Sequence, residues 1–341
     1  MAKNLIFISR FNPPTADHVS LISRAVEKFQ PDNTHIIVTG YSQARNSKYP
    51  FVYHEIEDMF CLEESEILKN NKKENKKLII RPLKDLYYNT SLWLSNLQNL
   101  LALKKEDENY FVRLGKEEDW HSIFDNIVDA YKDFGISTES KSNNFIQDLF
   151  SNGPWQSNLN KQVIDYIEYG FIKTNEFIEL KKEYEFIKKY KEIWSSAPFP
   201  PTFVCTDAIV TCKGKILVVV RKGSPGKGLY ALPGGFLNQE ESTQDGCLRE
   251  LKEETRIAVS KEELERNIIE SKVFDYPFRS LRGRTITHAS HIDLKLDRLP
   301  NVKGSDDAEK AKWIDFSFVL NNEDKFFEDH AQIISYFILS K

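Results

Sequence analysis

Three glutamates in the C-terminal half stand at a spacing that suits metal binding. Glu250 and Glu254 are four residues apart and Glu253 lies three residues after Glu250, so on a helix over about residues 242–255 all three share one face. Carboxylate oxygens are hard ligands that favour Mg²⁺ or Mn²⁺. Such a metal screens phosphate charge and activates a water molecule. We therefore predict that all three glutamates bind metal and that Glu253 and Glu254 are also catalytic.

The residues before this run strengthen the interpretation. Gly234 and Gly235 allow a tight turn that brings backbone carbonyls, including that of Gly234, to the metal. Five residues separate Gly235 from Glu241, and seven separate Glu241 from Arg249. The series resembles the Nudix box, and it departs from that pattern only at Arg256, where the family has a glycine that relieves a positive φ after the helix. The resemblance implies a Nudix pyrophosphohydrolase in which Arg249 belongs to the catalytic residues and orients a glutamate through paired hydrogen bonds.

Two later segments extend the resemblance to the Nudix enzymes that cleave ADP-ribose. Residues 274–285 and 306–313 are similar to successive segments of that group. The resemblance implies that three arginines bind the substrate's phosphates, namely Arg279, Arg282 and Arg284. Each arginine alone is also compatible with an ordinary surface hairpin, and Glu309, a candidate for water activation, is more typical of an exposed helix residue. The glutamate run is compatible with a solvent-facing helix too, but the upstream glycines and glutamate favour the Nudix site.

A second candidate site lies near the N-terminus. An apolar run at residues 4–9 leads into the loop Arg10-Phe11-Asn12-Pro13-Pro14-Thr15-Ala16-Asp17-His18, after which apolar residues recur at helical spacing. Such a loop presents backbone N–H groups and the positive end of the helix dipole to a phosphate. His18 would then stabilise charge on a leaving pyrophosphate, although a histidine there can also lack any ligand.

The loop resembles the His-x-Gly-His signature of the nucleotidyltransferases, and most closely that of the nicotinamide mononucleotide (NMN) adenylyltransferases. Thr15 and Asp17 replace the first histidine and the glycine. Residues 40–51, 86–93 and 136–141 are similar to further segments of that family, in which an asparagine and a tryptophan hold the nicotinamide ring and a helix N-terminus binds ATP phosphates.

This resemblance implies that Asn89 hydrogen-bonds the carboxamide and that Trp93 stacks on the cationic ring, although Trp93 is also compatible with plain core packing. Lys141 replaces an arginine of the family, so the charge is kept and the bidentate fork is lost. His18 is predicted as catalytic. The substrate-binding residues predicted for this half are Arg10, Phe11, Asn12, Thr15, Gly40, Arg45, Asn89, Trp93, Gly115, Thr138 and Lys141.

The elements that must position these residues divide the chain into two α/β domains. Apolar runs at residues 4–9, 35–39, 78–81 and 110–114, with helical segments between them, predict a Rossmann-like nucleotidyltransferase domain with a parallel sheet over 1–172. A long charged helix over 172–194 and a proline-rich break at 195–201 form a linker over 173–201. Two apolar strands around Lys213-Gly214-Lys215 predict a hairpin that opens a Nudix domain of α/β/α type over 202–341.

Bulk composition limits the function classes. A chain of 341 residues with 40% apolar content suits two cores, and a net charge of −4 argues against nucleic acid as the main partner. The lysine-rich run at 69–77 fits a solvated loop. The four cysteines show no metal or disulfide framework, and neither a signal peptide nor a membrane span is evident. We expect a cytoplasmic, soluble homo-oligomer that does not bind membranes.

The favoured function is a bifunctional enzyme of NAD metabolism. One site would join ATP and NMN into NAD and pyrophosphate, and the other would split ADP-ribose into AMP and ribose 5-phosphate with Mg²⁺ or Mn²⁺. One alternative is a Nudix hydrolase with a degenerate N-terminal nucleotide-binding domain, which the departures at Thr15, Asp17 and Lys141 suggest. Another is a regulator that senses NAD metabolites, which is disfavoured because the chain ends at Lys341, too soon for a winged helix.

Overall fold

The computed structural model describes residues 1–102, 107–112, 144–305 and 308–339. The chain divides into two compact units, one of residues 1–41 and 47–181 and the other of residues 42–46 and 182–341. Within the described ranges, no helix combines the length and the apolar character that crossing a bilayer requires.

The N-terminal unit is built on a parallel sheet, as predicted. Its strands are β1 (Lys3–Ser9), β2 (Asn33–Tyr41), β3 (Lys77–Lys84) and β4 (Glu108–Val112), in the order β3-β2-β1-β4. All three strand pairings are parallel. The central strand β1 is almost wholly buried, because helices cover both faces of such a sheet and leave no face for polar residues.

The helices of this unit follow the predicted alternation with the strands. They are α1 (Ala16–Phe29), α2 (Tyr53–Leu68), α3 (Thr90–Leu101), α4 (Phe145–Ser151) and α5 (Lys161–Tyr166). Helix α1 buries Val19, Ile22 and Val26, whose three- and four-residue spacing makes one apolar face. The loop after β1 and the start of α1 therefore lie at the carboxyl end of the sheet, where doubly wound folds bind their ligands.

The C-terminal unit contains a mixed sheet. Its strands are β5 (Thr202–Cys212), β6 (Lys215–Arg221), β7 (Tyr230–Ala231), β8 (Gly234–Phe236), β9 (Ile268–Phe274), β10 (Arg284–Asp293) and β11 (Ala308–Asp315). The predicted hairpin joins β5 to β6 through Lys213 and Gly214, which have φ values of 53° and 72°. Two positive φ values give the turn a twist that matches that of the flanking strands.

Four further helices complete this unit. They are α7 (Thr243–Thr255), α8 (Lys261–Arg266), α9 (Phe316–Asn321) and α10 (His330–Leu339). Helix α7 buries Cys247, Leu248 and Leu251 in a cluster with Ala208 and Val210 of β5. The opposite face of α7 is therefore left for its charged side chains.

The long charged helix, α6, spans Asn175–Ile193 rather than the expected 172–194. A π-helical turn at Ile167–Phe171 comes before it, and turns follow it from residue 194. The division between the compact units falls within α6, after Lys181. Its last turns belong to the C-terminal unit because Tyr190 and Trp194 contact Phe203, with ring centres 5.9 and 5.3 Å apart.

Candidate active sites

Helix α7 carries the glutamates of the C-terminal candidate site. Ser242 caps its N-terminus by accepting a hydrogen bond from the Asp245 N–H at 3.1 Å, which satisfies one of the free donors of the first turn. Strand β8 runs beside β5 and places Gly234 opposite Asp207. A Cβ on Gly235 would collide with the Glu250 carboxylate, so a larger residue here would displace that carboxylate from its present position.

Arg249 gathers the carboxylates of this site. Its Nε and Nη2 donate to the two oxygens of Glu241 at 2.9 and 2.7 Å, which is the paired geometry expected of Arg249. Its Nη1 donates to Glu250 at 2.9 Å and to Glu253 at 3.0 Å. The hydrogen bonds from Arg249 lower the pKa of Glu241 to about 2, so Glu241 is ionised and holds the guanidinium in place.

Glu254 hydrogen-bonds the backbone of β8 rather than Arg249. It is 8% exposed and accepts a hydrogen bond from the Gly234 N–H at 3.0 Å. Burial raises its pKa to about 8, and the Gly234 hydrogen bond and the charge of Arg221 oppose that rise. The three helix glutamates therefore lie in two environments, because Glu250 and Glu253 face Arg249 and Glu254 faces the sheet.

The donor set fits a hard divalent cation, since it offers carboxylate oxygens beside a glycine backbone. In the described part of the chain, however, no three His, Cys, Asp or Glu side chains are assembled as a metal cluster. Glu250 and Glu253 instead bind Arg249. Metal binding by all three glutamates would require some of these ion pairs to be exchanged for the cation.

The three predicted phosphate-binding arginines occupy different positions. Arg279 is 5% exposed and its Nε and Nη2 donate to Asp329 at 2.9 and 2.7 Å. Because this buried bidentate pair engages the Arg279 fork, phosphate binding by Arg279 stays a prediction and would require the fork to leave Asp329. Arg284 donates to the backbone carbonyl of Asp275 at 2.5 Å. Glu309 is exposed, as favoured, but lies in strand β11 rather than in a helix.

Arg282 is the arginine best placed for a ligand. Its guanidinium lies 4.9 Å from the ring centre of Phe236, which follows Gly235 in β8. Its buried Nε has no hydrogen-bond partner among the described residues. A buried donor without a partner is costly, and a phosphate oxygen would satisfy it.

Two further residues of this site, Asp207 and Arg221, were not predicted from the sequence. Asp207 is buried on β5 and accepts a hydrogen bond from the Thr287 hydroxyl at 2.5 Å. Arg221 ends β6, and its guanidinium lies 3.9 Å from the ring centre of Phe327. Both residues belong to apolar strands that the sequence marks as part of the core. The sequence shows only a charged residue within one apolar run and at the end of the other, which does not by itself indicate a binding site.

The N-terminal candidate site begins with a capping box at α1. Thr15 is the N-cap, its hydroxyl accepts from the His18 N–H at 3.3 Å, and its own N–H donates to His18 Nδ1 at 3.0 Å. Since Nδ1 is an acceptor, we assign the ring proton to Nε2. Burial lowers the pKa of His18 to about 4, against the opposing charge of Asp17. His18 is therefore a neutral imidazole with an Nε2–H donor.

The loop before α1 is held by its own predicted residues. The Asn12 side chain exchanges two hydrogen bonds with the Phe51 backbone, at 2.6 and 3.1 Å. Arg10 pairs with Asp85 at 2.5 Å and lies 4.1 Å from the ring centre of Tyr49. The structure thus shows Asn12 and Arg10 organising the loop.

Gly40 and Phe11 both have positive φ values and pack against residues of this loop. Gly40 has a φ of 77°, and a Cβ there would collide with the Arg10 guanidinium. Phe11 has a φ of 47° and is buried, with its ring centre 5.2 Å from that of His18. Both positions are therefore explained by packing around Arg10 and His18.

The predicted nicotinamide-binding pair is not assembled as a stacking site. Trp93 is 5% exposed and packs in the core with Leu83 and Leu97, as the core-packing alternative describes, and its stacking on a nicotinamide ring stays a prediction. Asn89 is exposed and caps α3 by accepting from the Leu92 N–H at 3.0 Å. Arg45 lies in the segment 42–46, which belongs to the C-terminal unit. The predicted residues Gly115, Thr138 and Lys141 lie outside the described residues.

Comparison with known proteins agrees with the division of the chain. The NUDIX domain family matches residues 201–337. The ADP-ribose pyrophosphatase of Methanocaldococcus jannaschii is 36% identical over 131 residues, which are 38% of this chain and 70% of that protein. The family match therefore covers the part of the chain that contains α7 and its glutamates.

The full chain is similar to a solved structure. A bifunctional NMN adenylyltransferase/ADP ribose pyrophosphatase from Francisella tularensis superimposes with a TM-score of 0.88 at 29% identity, covering 100% of this chain and 99% of that chain. A second structure of such a protein from that organism, complexed with AMP and a manganese ion, gives a TM-score of 0.87. The predicted α/β fold and the predicted two-part resemblance are both confirmed. The chain belongs to the Nudix family.

Proposed function

We propose that this protein is a bifunctional enzyme of NAD metabolism. One activity transfers the adenylyl group of ATP to NMN and yields NAD and pyrophosphate, and the other hydrolyses ADP-ribose to AMP and ribose 5-phosphate. The observation that carries the proposal is the similarity of the whole chain to a bifunctional relative, at a TM-score of 0.88. The loop at His18 and the glutamates of α7 lie in separate compact units, which is consistent with two separate active sites.

The hydrolase activity is assigned to α7 and the strands beside it. Glu250, Glu253, Glu254 and the Gly234 carbonyl would hold Mg²⁺ or Mn²⁺, which screens the pyrophosphate and lowers the pKa of a bound water. Arg249 holds Glu250 and Glu253 through the hydrogen bonds that its Nη1 donates. Arg282 offers its unpartnered Nε to a phosphate oxygen. Phe236 supports the guanidinium of Arg282 from β8.

The transferase activity is assigned to the loop that leads into α1. The 5′-phosphate of NMN attacks the α-phosphorus of ATP, the bond to the bridging oxygen breaks, and pyrophosphate leaves, so no protein nucleophile is needed. Neutral His18 donates its Nε2–H to the phosphates of ATP, where charge grows as pyrophosphate departs. Thr15 fixes the orientation of the imidazole.

Product analysis tests both activities. The purified protein is given ADP-ribose in one tube and ATP with NMN in another, each with Mg²⁺ or with Mn²⁺. We expect AMP and ribose 5-phosphate in the first tube and NAD with pyrophosphate in the second. Absence of AMP would refute the hydrolase assignment, and absence of NAD would refute the transferase assignment.

One observation favours a second candidate, a hydrolase with a degenerate N-terminal domain. Asp17 is exposed in the first turn of α1, next to His18. A carboxylate there repels an incoming phosphate at a helix end that otherwise attracts anions. Hydrolysis of ADP-ribose without any NAD synthesis would identify this candidate.

We further propose domain limits and a compartment. The transferase domain would span 1–172 and the hydrolase domain 202–341, with 173–201 between them. The cytoplasm is proposed because all four cysteines are free and three of them are buried, as is usual in a reducing compartment.

A further inference from the structure

A glycine-rich, basic loop connects β6 to β7 beside the hydrolase site. Residues 222–228 read Lys-Gly-Ser-Pro-Gly-Lys-Gly, and both lysines are exposed. Three glycines give such a segment many backbone conformations. A fixed conformation therefore needs contacts from outside the loop.

Those contacts converge on Gly226. It has a φ of 75°, and a Cβ there would collide with the ring of Phe327. Its N–H donates to the Glu183 carboxylate at 2.9 Å. Glu183 lies on α6, is 8% exposed, and precedes the NUDIX match at residues 201–337. This buried hydrogen bond is a direct side-chain link between α6 and the loop.

The loop in turn sets the position of Arg221. The Nε of Arg221 donates to the Pro225 carbonyl at 2.9 Å, and its guanidinium covers the Phe327 ring at 3.9 Å. The Arg221 carbonyl accepts from the Gly228 N–H at 2.9 Å. Any shift of residues 225–228 therefore moves the Arg221 side chain.

Arg221 borders the hydrolase site through the Phe327 ring that its guanidinium covers. Phe327, which it covers, also lies 6.0 Å from the guanidinium of Arg282. Two arginines thus flank one ring at the edge of the site, an arrangement that suits the two phosphates of a pyrophosphate.

We propose that Glu183 is a positioning residue of the hydrolase, which holds the 222–228 loop through Gly226 and thereby places Arg221 for the substrate's pyrophosphate. The inference rests on the proposed hydrolase function. It assigns a role in that reaction to a helix that precedes the residues matched by the NUDIX family. In this proposal Arg221 contacts the phosphates of the substrate as soon as it binds. Loss of Glu183, which displaces Arg221, should therefore weaken substrate binding more than it slows turnover.

The test compares three variants of the full chain in ADP-ribose hydrolysis. Glu183→Ala removes the acceptor, Glu183→Gln keeps an amide oxygen as acceptor, and Glu185→Ala changes an exposed glutamate two residues further along the same helix. We expect Glu183→Ala to raise KM about tenfold while kcat changes by less than about threefold, because a buried donor loses its partner. Glu183→Gln should raise KM by less than about threefold, and Glu185→Ala should match the wild type.

Limited digestion with trypsin measures how accessible the 222–228 loop is to cleavage, and this measurement does not depend on enzymatic activity. Cleavage after Lys222 and Lys227, followed by mass spectrometry, should be several times faster in Glu183→Ala than in the wild type and unchanged in Glu185→Ala. Equal KM values and equal cleavage rates for Glu183→Ala and wild type would overturn the inference, as would an equally large KM defect in Glu183→Gln. A wild-type protein that does not hydrolyse ADP-ribose would refute the proposed function instead, and the cleavage rates would still decide whether Glu183 holds the loop.

Discussion

Among the single residues, Glu254 is favoured in its protonated form by burial in the fold, whereas metal binding needs its ionised form. Burial raises its pKa from 4.5 to about 8, so the metal-free folded protein keeps a proton that the unfolded chain releases. Between those two pH values the folded state therefore binds more protons, and the free energy of unfolding must fall as the pH rises. Below about pH 4.5 both states are protonated, and above about pH 8 both are ionised, so the contribution of Glu254 changes little outside this window.

We therefore predict that Glu254→Gln flattens the pH dependence of stability. Between pH 5 and 8, with metal chelated, the wild type should lose on the order of 2–4 kcal/mol relative to the variant. Urea unfolding at several pH values measures the difference. Parallel curves for the two proteins would show that the Glu254 pKa is close to its ordinary value.

The box residues were predictable one by one because their spacing is local. Helical spacing predicted that Glu250, Glu253 and Glu254 share one face, while the resemblance to the Nudix box, with its upstream glycines and Glu241, distinguished the run from an ordinary charged helix and implied the pairing of Arg249 with a glutamate. The partner of Arg279 was not predictable, since Asp329 is distant in sequence and only the folded sheet brings the two together. Trp93 shows the same limit, because the choice between stacking and core packing depends on burial that a sequence does not display.

Among the elements, α7 ends in an unusual way. Arg256 is its C-cap with φ 44° and ψ 37°, and its N–H donates to the Lys252 carbonyl at 2.9 Å. The left-handed conformation expected of the family's glycine is thus adopted by an arginine, whose Cβ makes it unfavourable. The side chain is exposed, so its replacement should cost little packing.

We predict that Arg256→Gly stabilises the protein by about 0.5–1 kcal/mol. This net gain is the backbone strain that glycine relieves at Arg256, minus the cost of the conformational entropy that glycine adds to the unfolded chain. Arg256→Ala is the matched control, because alanine keeps the Cβ and should give no gain. Chemical denaturation of the three proteins measures the effect. A destabilised Arg256→Gly would mean that the arginine side chain makes a favourable interaction.

Elements with strong local signals were predicted well, and their ends less so. The hairpin at Lys213 and Gly214 and the helix after Ser242 were expected close to where they occur, because turn chemistry and capping are local. Helix α6 was expected to start earlier, and the π-helical turn at Ile167–Phe171 had no signal in the sequence. Its apolar residues fit an α-helix equally well.

For the whole molecule, the two proposed reactions use two sites built from different residues. Each compact unit has its own sheet and its own buried core. Helix α6 is divided between the units, so the proline-rich break at residues 195–201 marks the end of a helix and does not by itself mark the unit boundary. This division could not be read from composition, because it depends on aromatic contacts with Phe203 that form only in the fold.

The central claim is that one chain performs two reactions at separate sites, and one measurement tests it most directly. NAD synthesis and ADP-ribose hydrolysis are assayed side by side for the wild type, His18→Ala and Glu254→Gln. We predict that His18→Ala loses at least about a hundredfold in NAD synthesis, since it lacks a preorganised donor, and keeps its hydrolysis. Glu254→Gln should lose at least about a hundredfold in hydrolysis and keep its NAD synthesis. Loss of both activities in either variant, or full activity of His18→Ala and Glu254→Gln in both assays, would contradict the account.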